Sequence, residues 1–127
     1  MRIALDTNRY VDFCKGDADT LAQIQEAERI FLPFVTLGEL RAGFFCGICS
    51  QENERTLTQF LSSPRVSVLY ADEQTTHHYA RLFRQLRTQG TPIPINDLWI
   101  GALVVQHDLW LFARDQHFDH FPQIPRL

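Results

Sequence analysis

Short apolar runs alternate with helix-length segments along this chain, and that alternation restricts its fold more than any other feature. Residues 2–5, the RIFL stretch at 29–32, VSVLY at 66–70 and LWLFA at 109–113 read as strands. Residues 7–15, 17–29, 36–46 and 50–62 read as helices, with Asp17 capping the second and Pro64 stopping the fourth. Asp72 caps a long amphipathic helix that closes near Gly90, and Asn96 opens another through DLWIGALVVQH. Two prolines exclude helix from TPIPI between them. Helices interposed between successive strands imply crossover connections, hence an α/β fold with a mostly parallel sheet covered on both faces. The 127 residues suit one domain, 1–127, large enough to bury a core without disulfides.

Parallel sheets bind ligands at the carboxyl ends of their strands, and four acids fall at such places. Asp6 ends the first apolar run, and its ordinary role would be a helix cap. Glu39 completes Thr36-x-x-Glu39, a capping-box spacing at a helix that follows a strand. Asp97 opens the helix LWIGALVV, which is apolar nearly all round and therefore buried on most sides; there Asn96 is a cap and an acid favours the dipole. Asp115 follows the last strand by one arginine, where a turn or cap is the ordinary role. Each local role suffices alone, but none explains why all four acids collect on one sheet edge. Gathered carboxylates raise one another's pKa unless a cation sits among them, and oxygen ligands select Mg²⁺ or Mn²⁺.

The motifs LDTN, TLGEL, NDLWIGAL and ARDQHF, with the ending HFPQIPRL, resemble PIN-domain ribonucleases, and more closely the VapC-type toxins of bacterial toxin–antitoxin pairs. The resemblance runs from Asp6 to Leu127 and implies a three-layer α/β/α sandwich. It makes Asp6, Glu39 and Asp97 the acidic trio of a Mg²⁺ or Mn²⁺ site, matches Asp115 to a more variable fourth acid, and gives Thr7 and Asn8 supporting or substrate roles. The implied activity is metal-dependent hydrolysis of RNA phosphodiesters, with tRNA or rRNA as substrate. The implied partners are a second copy of the chain and a cognate antitoxin whose tail enters the acidic groove. Thr36 stands behind the site, and Arg9, Arg41 and Arg114 are candidates for phosphate contacts. Arg9 and Tyr10 depart from the apolar pair usual after D-T-N, and the segment 44–49 has no family counterpart.

Net charge is −3, so no global basic surface attracts nucleic acid. Lys15 is the only lysine, and Arg81, Arg84 and Arg87, spaced by three, read as a solvated helix face. No apolar run approaches the roughly 18 residues of a membrane span. The start MRIALDTN lacks a signal-peptide pattern, so a cytoplasmic location with reduced Cys14, Cys46 and Cys49 is expected. CGIC falls at a helix end rather than a helix start, which argues against redox chemistry and leaves two partly buried thiols. His77 and His78 read as surface; His117 and His120 lie near enough to Asp115 in the chain for either to approach the site, but the solvated or core reading is preferred. IFLPF and AGFFCGI are rich in apolar residues for a small domain, which suits association. Two alternatives stand beside the nuclease: a non-catalytic PIN-like domain that binds RNA or protein, and a haloacid-dehalogenase-type phosphatase with Asp6 as nucleophile. The second wants an acid where Asn8 stands and a lysine later than Lys15.

Overall fold

Four parallel strands form the sheet, in spatial order β3-β2-β1-β4: β1 (Arg2–Leu5), β2 (Arg29–Pro33), β3 (Val66–Leu69) and β4 (Trp110–Phe112). The structure is a computed structural model and describes residues 1–127. β1 lies at the centre, with Ile3 opposite Ile30 on one side and Ala4 opposite Leu111 on the other. Successive side chains of a strand point to opposite faces. Ile3 and Leu5 accordingly enter one core with Tyr10, Ile24, Leu40 and Leu57, while Ala4 enters a second core with Leu82, Leu98, Leu103 and Phe118. The first core is roofed by α1 (Thr7–Cys14), α2 (Ala18–Glu26), α3 (Phe34–Cys46) and α4 (Ser50–Leu61). The second is roofed by α5 (Glu73–Gln89) and α6 (Ile95–Gln106), with a 3-10 turn at Gln116–His120. The result is the expected three-layer α/β/α sandwich.

Several local expectations hold. Asp17 caps α2 by accepting from the Thr20 amide at 3.0 Å. Asp72 and Thr75 form a reciprocal capping box, and Gly90 ends α5 at φ 73°, a left-handed turn that glycine adopts without strain. α6 is buried almost throughout, from Asp97 to Val104.

Others do not. α3 starts at Phe34, before Thr36, and α6 starts at Ile95, before Asn96. Pro33 and Pro94 occupy the two N-cap positions, where their fixed φ (−56° and −57°) sets the chain into the helix without any side-chain cap. Thr36 is fully buried and donates from Oγ1 to the Leu5 carbonyl at 3.3 Å, so the Thr36–Glu39 capping box does not exist. α2 ends at Glu26, and Ala27 is already extended toward β2. All three cysteines are exposed, which corrects the partly buried thiols expected for Cys46 and Cys49. The final residues lie beside β4: the Leu111 amide donates to the Pro125 carbonyl at 2.8 Å, and the Leu127 amide to the Leu111 carbonyl at 3.0 Å. No helix is long and apolar enough to cross a membrane.

Candidate active site

Asp6 is the first residue beyond β1 and stands at the N-cap of α1, yet its side chain makes no capping hydrogen bond. It is 5 % exposed and in no ion pair. Burial pushes its carboxyl up to about 6; the Thr7 amide draws it down, and Asp97, Glu39 and Asp115 add to the rise. A hydrogen bond from its own amide to the Phe112 carbonyl, 3.2 Å, fixes it against the end of β4.

Glu39 lies on α3 and turns toward α1, where Thr7 Oγ1 donates to its Oε1 at 2.8 Å. Asp97 lies in the first turn of α6 and is nearly buried, which raises its pKa; a 2.8 Å bond between its Oδ2 and His117 Nδ1 opposes that rise. Asp115 does cap, accepting from the His117 amide at 2.9 Å, and its Oδ1 also lies 2.9 Å from His117 Nδ1. Of the four acids, only Asp115 therefore caps a helix with its side chain, while Asp97 keeps the first-turn position that favours the α6 dipole. Thr7, Asp6, Glu39, Asp97 and Asp115 are brought to one corner of the sheet's carboxyl edge, as the parallel topology requires.

His117, for which the sequence favours a solvated or core position, belongs to the candidate site. Its ring bridges Asp97 and Asp115, and its pKa is raised chiefly by the bond to Asp97, with the Asp115 charge helping. Its Nδ1 lies 2.8 Å from Asp97 and 2.9 Å from Asp115, and it is the only basic side chain paired with any of the four acids. The sequence signal was slight: a histidine two residues beyond an acid, in a turn that has to fold back over α6 before the two can meet.

Arg126 is a residue that sequence reasoning missed. Nη2 donates to the carbonyls of Ala113 (2.7 Å) and Asp115 (3.2 Å), and Nη1 pairs with Asp119 at 2.7 Å. It thereby clamps the loop that presents Asp115 and His117. Partners that only orient metal ligands commonly contribute about 10–100-fold to activity. Arg126→Ala is accordingly expected to lower activity by roughly tenfold or more while circular dichroism remains that of the folded protein.

The arginines expected at phosphates are otherwise engaged. Arg114 Nε lies 2.8 Å from Asp12 Oδ2, and Arg9 Nη1 reaches the same oxygen at 3.5 Å. Arg41 pairs with Glu54 at 2.8 Å, on the side of α3 that faces α4. Asn8 is exposed beside Thr7. A cleft of about 420 Å³ opens at Glu39, lined by Phe34, Val35, Gly38, Asn96 and Trp99.

This donor set fits a hard divalent cation. Four carboxylates converge, two of them buried, and no lysine or arginine neutralises Asp6 or Glu39. Donor atoms of Asp97, Asp115 and His117 all lie within 4.8 Å of one another.

A parallel α/β/α sandwich with acids at this corner defines a class, and comparison with known proteins agrees. The PIN domain family model matches residues 3–124, and the chain belongs to the PIN-domain family. Within that family its relatives are VapC ribonucleases. Ribonuclease VapC1 of Haemophilus influenzae (strain R2866) is 34 % identical over 122 residues, covering 87 % of this chain and 89 % of the relative. Ribonuclease VapC4 of Mycobacterium tuberculosis is 32 % identical over 90 residues, covering 71 % of this chain and 69 % of the relative. Among solved structures, VapBC-1 from nontypeable Haemophilus influenzae has a TM-score of 0.88 at 27 % identity, covering 100 % of this chain and 97 % of that one. VapBC-5 of Mycobacterium tuberculosis, a member of the VapBC family of toxin–antitoxin systems, has a TM-score of 0.73 at 26 % identity, covering 99 % and 98 %. The family match displaces the phosphatase alternative.

Proposed function

We propose that this chain is a divalent-cation-dependent endoribonuclease, the toxin of a VapBC-type toxin–antitoxin pair, acting in the cytoplasm as a single PIN domain over 1–127. The observation that carries the chemistry is the buried, unneutralised Asp6, which Glu39, Asp97 and Asp115 surround rather than any basic side chain. The likeness to VapC ribonucleases supports RNA as the substrate, and the solved VapBC relatives support a cognate antitoxin as partner. A second copy of the chain is the remaining partner on this reading.

Asp6, Asp97 and Asp115 would hold Mg²⁺ or Mn²⁺, with Glu39 beside them. When bound, the ion neutralises phosphate charge and makes a water acidic enough to attack phosphorus near neutral pH. Thr7 keeps Glu39 turned into the site. Arg126 fixes the backbone that carries Asp115. His117 holds Asp97 and Asp115 together through its Nδ1, which fixes the spacing of the two carboxylates before substrate arrives. The cleft at Glu39, walled by Phe34 and Trp99, has room for the strand whose phosphate is attacked.

The test is cleavage of a pool of tRNA and rRNA by purified protein in Mg²⁺, in Mn²⁺ and in chelator. Discrete fragments in either metal, absent with chelator, are expected. RNA left intact under every condition contradicts the assignment and restores weight to a non-catalytic binding domain, for which intact acids at all four positions have no use.

A further inference from the structure

Few cations are free to hold the phosphates of an RNA strand. Arg9 and Arg114 share Asp12, Arg41 holds Glu54, and Arg126 holds Asp119. Arg65 donates to the carbonyls of Ile24 and Ala27. Arg2 and Arg29 begin their strands, at the sheet edge opposite the acids. Arg81, Arg84 and Arg87 on α5 are exposed and in no ion pair, as are Lys15 after α1 and Arg55 on α4, which lie on the other face of the sheet.

The packing of α5 carries the end of this row to the site. Thr75, at the start of α5, donates to Gln106, at the end of α6, at 2.6 Å, so the two helices run antiparallel. The end of α5 therefore meets the start of α6, the turn that carries Asp97. Between them lies a cavity of about 270 Å³ lined by Phe83, Leu86, Arg87, Pro92, Ile95 and Leu98. Phe83 and Ile95 are 45 % and 53 % exposed at its mouth. The first turn of α6 separates it from the Glu39 cleft, with Ile95 and Leu98 on one side and Asn96 and Trp99 on the other. Aromatic rings join the two: Trp99 stacks on Tyr79 at 4.0 Å, and Tyr79 lies 6.2 Å from Phe83.

We propose that Arg84, Arg87 and the Phe83-lined cavity form a docking site for the single-stranded RNA that flanks the bond being cut, an inference that rests on the ribonuclease reading. Arginine forks suit phosphate, and single-stranded RNA is held by stacking its bases on aromatic faces. Beyond Glu73, α5 carries no acid that would compete for these arginines. Arg87 lines the cavity and Arg84 stands one turn before it on α5, which sets phosphate-binding charge beside the exposed Phe83 ring, the pairing that a nucleic-acid strand uses.

The test measures binding of a labelled, unstructured, mixed-sequence single-stranded RNA in Mg²⁺ across a salt series. It uses a cleavage-deficient Asp97→Asn background, so that binding is read apart from cutting. Arg84→Gln with Arg87→Gln should weaken binding roughly tenfold at low salt and reduce the slope of log affinity against log salt by about 1.4, near 0.7 for each phosphate no longer neutralised. Phe83→Ala should weaken binding roughly fivefold or more because its stacking face is gone, with the slope unchanged. Arg55→Gln, an exposed and unpaired arginine on α4, should change neither. An unchanged slope in the double variant overturns the docking site, as does the absence of RNA binding by the parent. Loss of a dimer in sedimentation with RNA binding intact overturns it too and marks the surface as an interface between copies. The ribonuclease reading fails separately, if wild-type protein leaves RNA uncut in Mg²⁺ and Mn²⁺.

Discussion

Asp97→Asn is expected to leave the fold intact and to lower RNA cleavage by at least about 10²–10³-fold, the loss typical when one preorganised electrostatic group is removed from a reacting centre. The asparagine keeps the shape of the side chain in the first turn of α6 but removes a negative charge from the proposed metal-binding set. It also replaces the charged acceptor that does most to raise His117 with a neutral amide, so that histidine moves toward its ordinary value. Asp97 is 8 % exposed and bonded to His117 Nδ1 at 2.8 Å, and the isosteric neutral replacement adds no charge to this buried position. Rates on any RNA the wild type cuts, with circular dichroism as control, provide the check. Full activity in this variant would remove Asp97 from the mechanism.

Asp6→Asn is expected to stabilise the metal-free protein at pH 7 while abolishing cleavage. A buried acid whose pKa is raised in the folded state holds its proton longer than the unfolded chain does, so stability falls as pH rises between the two values. For Asp6 that window runs from the ordinary 3.8 to about 6, and at about 1.36 kcal/mol per pH unit the loss approaches about 3 kcal/mol above it. The variant lacks this term. Its melting temperature at pH 7 should exceed that of the wild type by on the order of 10 °C, and the two should converge near pH 4. His117 acts in the same direction: its raised pKa contributes stability that is present below its unfolded value and is lost as pH rises through the folded one. A divalent ion should restore the wild type at pH 7, by about 2.7 kcal/mol at a hundred times its dissociation constant, and leave Asp6→Asn little changed. Melting curves in chelator across pH, with and without Mn²⁺, decide the matter. A wild type as stable in chelator at pH 7 as at pH 4 would contradict it.

The strands and their parallel pairing were legible because each apolar run is short and separated from the next by a helix. The acids were legible for the same reason, since Asp6 and Asp115 stand where an apolar run stops. What each acid touches was not. Thr36 and Glu39 have capping-box spacing, and no local feature shows that Thr36 is drawn under β1 while Thr7, 32 positions away, takes Glu39. The starts of α3 and α6 differ from expectation alike, because proline geometry rather than a side-chain cap opens each helix. His117 and Arg126 were hidden since their bonds to Asp97 and Ala113 form only after the last turn and the tail fold back against α6 and β4. Exposure of the α3–α4 turn with Cys46 and Cys49 was equally hidden, because an apolar sequence such as AGFFCGI does not reveal whether a partner element covers it.

On the proposed function, these four acids are gathered to hold a divalent cation. Calorimetric titration of Mn²⁺ into the purified, metal-free wild type at neutral pH, with Asp97→Asn in parallel, tests it most directly. Saturable binding by the wild type that is abolished or greatly weakened in the variant is the predicted result. A folded wild type that takes up no Mn²⁺, yet cuts RNA in chelator, would contradict the claim outright.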